Sequence, residues 1–280
     1  MLNKDFIITA ELQPPKGPDA KEFLTKARLL KTEVDALNVT DNQRAIVRLC
    51  SLAGCAMLIK EDITPVFQVT CRDRNRLAIQ SDLLGAHALD IRNVLAITGD
   101  DISTGDHKGA KQVFDIDSIQ LISMIAGLNK GATAGGTTLK GHTDFHIGAV
   151  LNPFVKPEKL TMLRFEKKIR AGARFFQTQA VYDTAAFKGF MKNVKDKDVK
   201  IIAGILVLKS PKMAHFLNEN LPGVYVPDTL IKEIEASADP KEKGLEIAAR
   251  SIRGLKGIAH GVHIMAMGME ERIPEILEMV

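Results

Sequence analysis

Short apolar runs recur eight times along this chain, and amphipathic stretches of helical period separate them. The runs cover residues 6–11, 36–40, 65–70, 93–98, 146–151, 174–179, 200–206 and 261–265. Runs of this length, apolar on both faces, are the pattern of strands buried in a parallel sheet. Helical stretches fall at 19–32, 44–58, 75–86, 115–129, 157–171, 183–194, 210–219 and 228–255, with a last one near 269–279. Asp239-Pro240 predicts a break inside the longest of them, and Pro157 suits a first helical turn. The glycine- and threonine-rich stretch 131–143 predicts no regular element. Eight strand-then-helix units predict an α/β fold, a single (β/α)8 TIM barrel. No Gly-x-Gly-x-x-Gly follows the first strand and no Gly-x-x-x-x-Gly-Lys-Ser/Thr loop occurs, which disfavours a standard dinucleotide fold. With 280 residues, 45% of them hydrophobic, one large core can form, so we expect a single domain over 1–280.

Charge narrows the function. The 38 basic and 34 acidic residues leave a formal +4, too balanced for a nucleic-acid binder. Local excesses at 72–76, 167–170 and 192–200 read mainly as solvated helix faces and turns. No run approaches the ~20 apolar residues of a membrane span, and the N-terminus has no long apolar segment of an export signal. Cys50, Cys55 and Cys71 form no Cys-x-x-Cys pair, and no His-Glu-x-x-His is present. We therefore expect no metal site, and a reducing, cytoplasmic setting.

In a barrel of this kind chemistry gathers where strands end and the following loops begin. Glu11 stands at the end of the first run and is followed closely by Pro14-Pro15, which restrict the loop that leaves it. Thr40-Asp41-Asn42 follow the second run. Gln68, Thr70, Arg72 and Asp73 lie on and after the third, Thr98 and Asp100-Asp101 at the fourth, Asn152 after the fifth and Lys209 after the seventh. Gln177 and Gln179 share one phase of the sixth run, and His263 lies within the eighth. Buried amides are costly unless partnered, so the two glutamines point either to neighbours that satisfy them or to a ligand.

Several of these fragments together resemble the methylenetetrahydrofolate reductase family. They are the segment Phe6 to Gly17, Val39-Thr40, Val69-Thr70-Cys71, Ala96 to Asp100, Ala171-Gly172-Ala173 and Phe176-Gln177-Thr178-Gln179, in the family's order. The resemblance implies a flavin, FAD before FMN, that passes a hydride to 5,10-methylenetetrahydrofolate, with NADH or NADPH as possible electron donor. It implies that Glu11 is the general acid, that Asp100 lies between folate and flavin, and that Gln179, with Gln177 beside it, holds the pterin. Flavin contacts fall on Thr40, Gln68, Thr70, Thr98, Asp100, Asn152 and Lys168, the lysine toward phosphate. It further implies a homo-oligomer and a place in methionine biosynthesis. Departures cluster elsewhere. Thr98-Gly99-Asp100 stands where an Arg-Gly-Asp-like end is usual, Thr161 where an aspartate is common, and Pro211 where an aromatic is expected. The eighth strand continues His263-Ile-Met-Ala-Met-Gly268 rather than into an aromatic and Thr-Leu-Asn. The pterin set is thus better kept than the nicotinamide side. The alternative is a folate-binding flavoprotein subunit that turns over only with an electron-donating partner.

Overall fold

Eight parallel strands close on themselves: β1 (Ile7–Leu12), β2 (Ala36–Val39), β3 (Pro65–Thr70), β4 (Asn93–Ile97), β5 (His146–Leu151), β6 (Phe175–Ala180), β7 (Lys200–Leu206) and β8 (Gly261–Met265). Each pairs with the next, and β8 returns to β1 with His263 opposite Thr9. The structure, a computed structural model, describes residues 1–280. Ten helices surround the barrel: α1 (Lys21–Leu30), α2 (Ser51–Lys60), α3 (Arg76–Ala88), α4 (Ser118–Asn129), α5 (Glu158–Ala171), α6 (Thr184–Met191), α7 (Pro211–Asn220), α8 (Asp228–Glu235), α9 (Pro240–Leu255) and α10 (Ile273–Glu278). The (β/α)8 expectation holds. The break at Asp239-Pro240 is the start of α9, where the Asp239 carboxylate caps the N–H groups of Lys241 and Glu242.

Two apolar layers follow from the alternation of side chains along each strand. Outward-facing residues such as Leu37, Phe67, Val94, Phe176, Ile201 and Val262 pack under the helices in the main core. Inward-facing Ile7, Ala36, Val66, Leu95, Phe175 and Ile202 plug the lower barrel. Phe175 fills the centre so completely that a Cβ on Gly148 would lie 2.2 Å from its ring. Above this plug the inward positions turn polar, with Thr9, Asn38, Gln68, Gln177 and His263 all buried. The site rests on that polar layer.

One helix differs from the sequence reading. The stretch 44–58 does not run as one helix: a short 3-10 turn at Gln43–Ala45 is followed by a loop, and α2 begins only at Ser51. The N–H groups a longer helix would have used are taken elsewhere, that of Arg44 by the Asp100 carboxylate and that of Val47 by Asp106. No helix is long and apolar enough to cross a membrane.

Candidate active site

At the floor of the barrel mouth, Asn38 and Gln177 exchange amide hydrogen bonds across the interior, at 2.7 and 3.1 Å. The Gln177 amide also reaches the Thr9 hydroxyl, which meets His263 Nδ1 at 2.9 Å. Burial pushes the His263 imidazole down to about 3, so it is neutral at physiological pH. Gln177 is thereby largely satisfied by the protein, the first of the two roles open to it from sequence.

Above this floor lies a cavity of about 390 Å³. Glu11, Gln68, Thr70, Thr98, Asp100, Lys168, Gln177 and Gln179 all line it. Of the residues the resemblance implied, two do not. Thr40 is fully buried, and its hydroxyl has no hydrogen-bond partner. Asn152 donates to the Pro222 carbonyl at 2.8 Å, between α7 and α8. Of the departures, Thr161 bonds the Val155 carbonyl and Pro211 opens α7, so both serve local structure.

Glu11 is the most perturbed carboxyl of the mouth. Burial pushes it up to about 7; the Gln43 amide pulls the other way by donating to Oε1 at 3.0 Å, and the charges of Glu270 and Asp100 add smaller upward pushes. Gln43 is itself fixed, because Gln13 donates to its oxygen at 3.0 Å. Asp100 sits exposed at the rim, one carboxylate oxygen accepting at 2.7 Å the N–H of Arg44, next along the chain to the Gln43 that holds Glu11. Gln179 makes no side-chain hydrogen bond and keeps its amide free for a ligand. A register shift between β6 and β7 over Gln177–Ala180 accompanies its placement: Thr178 turns its hydroxyl to Gly204 N, and a Cβ on Gly204 would meet the Thr178 carbonyl at 2.5 Å.

The cations are placed at two ends. Lys168 reaches from α5 to the Val150 carbonyl at 2.6 Å and lines the cavity near Ser118, the first residue of α4. Burial, with Arg164 nearby, lowers it to about 8. Arg72, only 1% exposed, forks onto Asp73 at 2.7 Å and donates to the Asn42 and Asp100 carbonyls. It passes beneath Gly99, where a Cβ would approach Arg72 Cβ at 3.0 Å. A guanidinium thus stands at the end of β4 although Thr98 carries none. Asp41, also on the wall, accepts from Thr70 N and Oγ1 and from Arg74. Asp41 and Arg72 were visible as strand-end polar residues. Gln43, between the strand-end polar residues 40–42 and the stretch 44–58 that read as helix, carried no sequence signal.

These walls enclose a cavity at the carboxyl end of a (β/α)8 barrel, with a carboxyl on the β1 strand end, an unpaired amide on β6 and a buried lysine at one side. Solved structures agree on the fold. The barrel superposes on EDTA monooxygenase from Chelativorans sp. BNC1 with a TM-score of 0.59, at 9% identity over 98% of this chain and 93% of that one. A long-chain alkane monooxygenase follows at 0.56, with 10% identity over 99% and 90%. Such identities speak for the fold alone. The family is shown by sequence: the model of methylenetetrahydrofolate reductase matches residues 1–280, and the chain belongs to that family. It is 25% identical over 233 residues to methylenetetrahydrofolate reductase 2 of Schizosaccharomyces pombe, and 23% over 240 residues to a probable NADPH-type methylenetetrahydrofolate reductase of Caenorhabditis elegans. Those matches cover 77% and 81% of this chain but 35% and 34% of the relatives, so the chain spans about a third of their length.

Proposed function

We propose that this barrel reduces 5,10-methylenetetrahydrofolate to 5-methyltetrahydrofolate with a bound flavin, FAD by the family's pattern. The observation that carries the reading is Glu11, a carboxyl that keeps its proton to about pH 7 on the wall of a cavity it shares with Asp100 and Gln179. Opening the methylene bridge requires a proton on the nitrogen that leaves. A carboxyl with a pKa near the working pH is suited to give it. The Gln179 amide offers both a donor and an acceptor to a pterin edge, and Asp100 lines the same cavity at its rim.

The donor set also fits a flavin. Its ring carries carbonyl acceptors and an N–H, which Gln68 and Thr98 can pair; its phosphates call for a cation. Lys168 has three donors, of which the Val150 carbonyl takes one. Bound there, the reduced flavin supplies the hydride. The protein's own work is to orient the pterin, exclude water and deliver the proton.

A second reading has its own support: no Phe, Tyr or Trp lines the main cavity, whose one ring is the His263 imidazole at the floor. A nicotinamide would find no stacking platform there, which favours electrons arriving from a partner protein. Purified protein should be yellow; its anaerobically bleached flavin should reoxidise with methylenetetrahydrofolate. NADH and NADPH should bleach it slowly if a partner is the donor and rapidly if a nicotinamide is. Glu11→Gln should keep the flavin and lose folate turnover by about 100-fold or more. Near-normal turnover in that variant would remove Glu11 from the chemistry.

A further inference from the structure

Glu11 belongs to two cavities. Besides the main one, it lines a chamber of about 210 Å³ with Gln13, Gln43, Arg44, Arg48, Met267 and Glu270 among its walls. Gln43 also lines both. The hydrogen-bonded Glu11–Gln43 pair is therefore the partition between a ligand cavity and a side chamber.

We propose that this chamber is the route by which solvent protons reach Glu11 while the main cavity is filled. The inference rests on the folate-reducing reading above. In each turnover the Glu11 O–H bond breaks and an N–H bond forms at the bridging nitrogen. The C–N bond opens, and the hydride adds to the carbon. The product leaves with both the hydride and the proton, so Glu11 remains a carboxylate until water replaces its proton. One proton is consumed from solvent per turnover, and the flavin together with the next ligand to bind would cover the main cavity when it is needed.

The chamber has the properties of a water compartment. At ~30 Å³ per water it holds several. It meets solvent at Arg44 and at Met267, which is 42% exposed. Inside, Arg48 spends one guanidinium nitrogen on the Pro14 carbonyl, while its buried Nε has no protein partner and calls for a water. Arg44 and Arg48 from the loop before α2 and Glu270 from the segment after β8 are the charges on the chamber walls; Glu270, with Asp100 of the main cavity, acts on Glu11. Glu270 is held by Lys26 at 3.0 Å and by the Gly268 N–H at 2.6 Å. Gln43 gives the partition its direction. Its N–H occupies Glu11 Oε1, so in the acid form the proton resides on Oε2.

The test is to fill the chamber with Ile46→Trp, at another of its walls, and independently with Met267→Trp, half-exposed at a backbone position that already carries a long side chain at positive φ. Single-turnover oxidation of reduced flavin by methylenetetrahydrofolate starts from protonated Glu11 and should stay within about twofold of the parent, whereas steady-state turnover should fall about tenfold or more and acquire a solvent isotope effect. A second readout needs no turnover. With tetrahydrofolate bound, the Glu11 carboxyl band, identified by its loss in Glu11→Gln, should exchange its proton for deuterium more slowly in the filled variants. Unchanged exchange and turnover in a folded variant, or equal losses in single and multiple turnovers, would overturn the chamber. If the parent itself fails to reoxidise with methylenetetrahydrofolate, the functional reading falls instead, and the exchange measurement still decides the chamber.

Discussion

A carboxyl whose proton is held to about pH 7 by burial must weaken the fold wherever that proton is lost. For Glu11 the folded value lies above the ordinary 4.5, so between the two the native state binds more protons than the unfolded one. Its contribution is fully present below about pH 4.5 and is lost as pH rises through 7. Glu11→Gln abolishes the titration. Relative to that variant, the parent should lose at most about 3 kcal/mol between pH 4.5 and 8. The check is the urea midpoint of both proteins across that range. A constant difference would mean that Glu11 is an ordinary ionised carboxylate. The same residue shows how an acid at a barrel mouth is paid for: the environment that suits it to give a proton is one that a carboxylate does not favour.

The loop from β2 to α2 is where element-scale strain and chemistry meet. Asn42, Arg44 and Ala45 all adopt positive φ, at 46°, 58° and 53°, each costing about 1 kcal/mol or more for a residue with a Cβ. Bonds from Asp100, Asp106 and the Pro15 carbonyl hold the loop there. Gly105 packs against it so closely that a Cβ would lie 1.9 Å from the Ala45 carbonyl oxygen. Gly105→Ala must displace the loop and with it Gln43. Losing a donor that favours the charged form pushes Glu11 further up, so the alkaline limb of the turnover profile should move to higher pH. A profile that stays put would separate the loop from Glu11. Beyond its opening residues Thr40-Asp41-Asn42, none of this loop was legible in the sequence. Its 44–58 stretch has helical period, and what overrides it are carboxylates more than fifty residues away. The strands were legible, with β3, β5, β7 and β8 falling on the expected residues, because a strand buried on both faces shows as an uninterrupted apolar run. Glu11, Asp100 and Gln179 were legible as strand-end polar residues. Glu270 and Gln43 were not, since their roles come only from what the closed barrel brings beside Glu11.

Across the whole molecule, the apolar plug and the proposed chemistry occupy different storeys of one barrel. The lower storey is apolar and centred on Phe175, wedged against Gly148. The upper one is polar, tied by Asn38, Gln177, Thr9 and His263, and carries the ligand cavity. Packing defects below should therefore cost stability without reaching the mouth, provided the polar layer holds as a unit. Phe175→Ala removes a ring that no neighbour can replace, because Gly148 offers no side chain to collapse into the space. The expected loss is about 3–5 kcal/mol, read from the denaturant midpoint. Glu11 should still titrate near 7 in the folded variant, since its burial, its Gln43 bond and its charged neighbours all lie above the plug. A matching shift in the Glu11 titration would show the two storeys to be mechanically coupled, with the Asn38–Gln177 bridge as the element that transmits the disturbance.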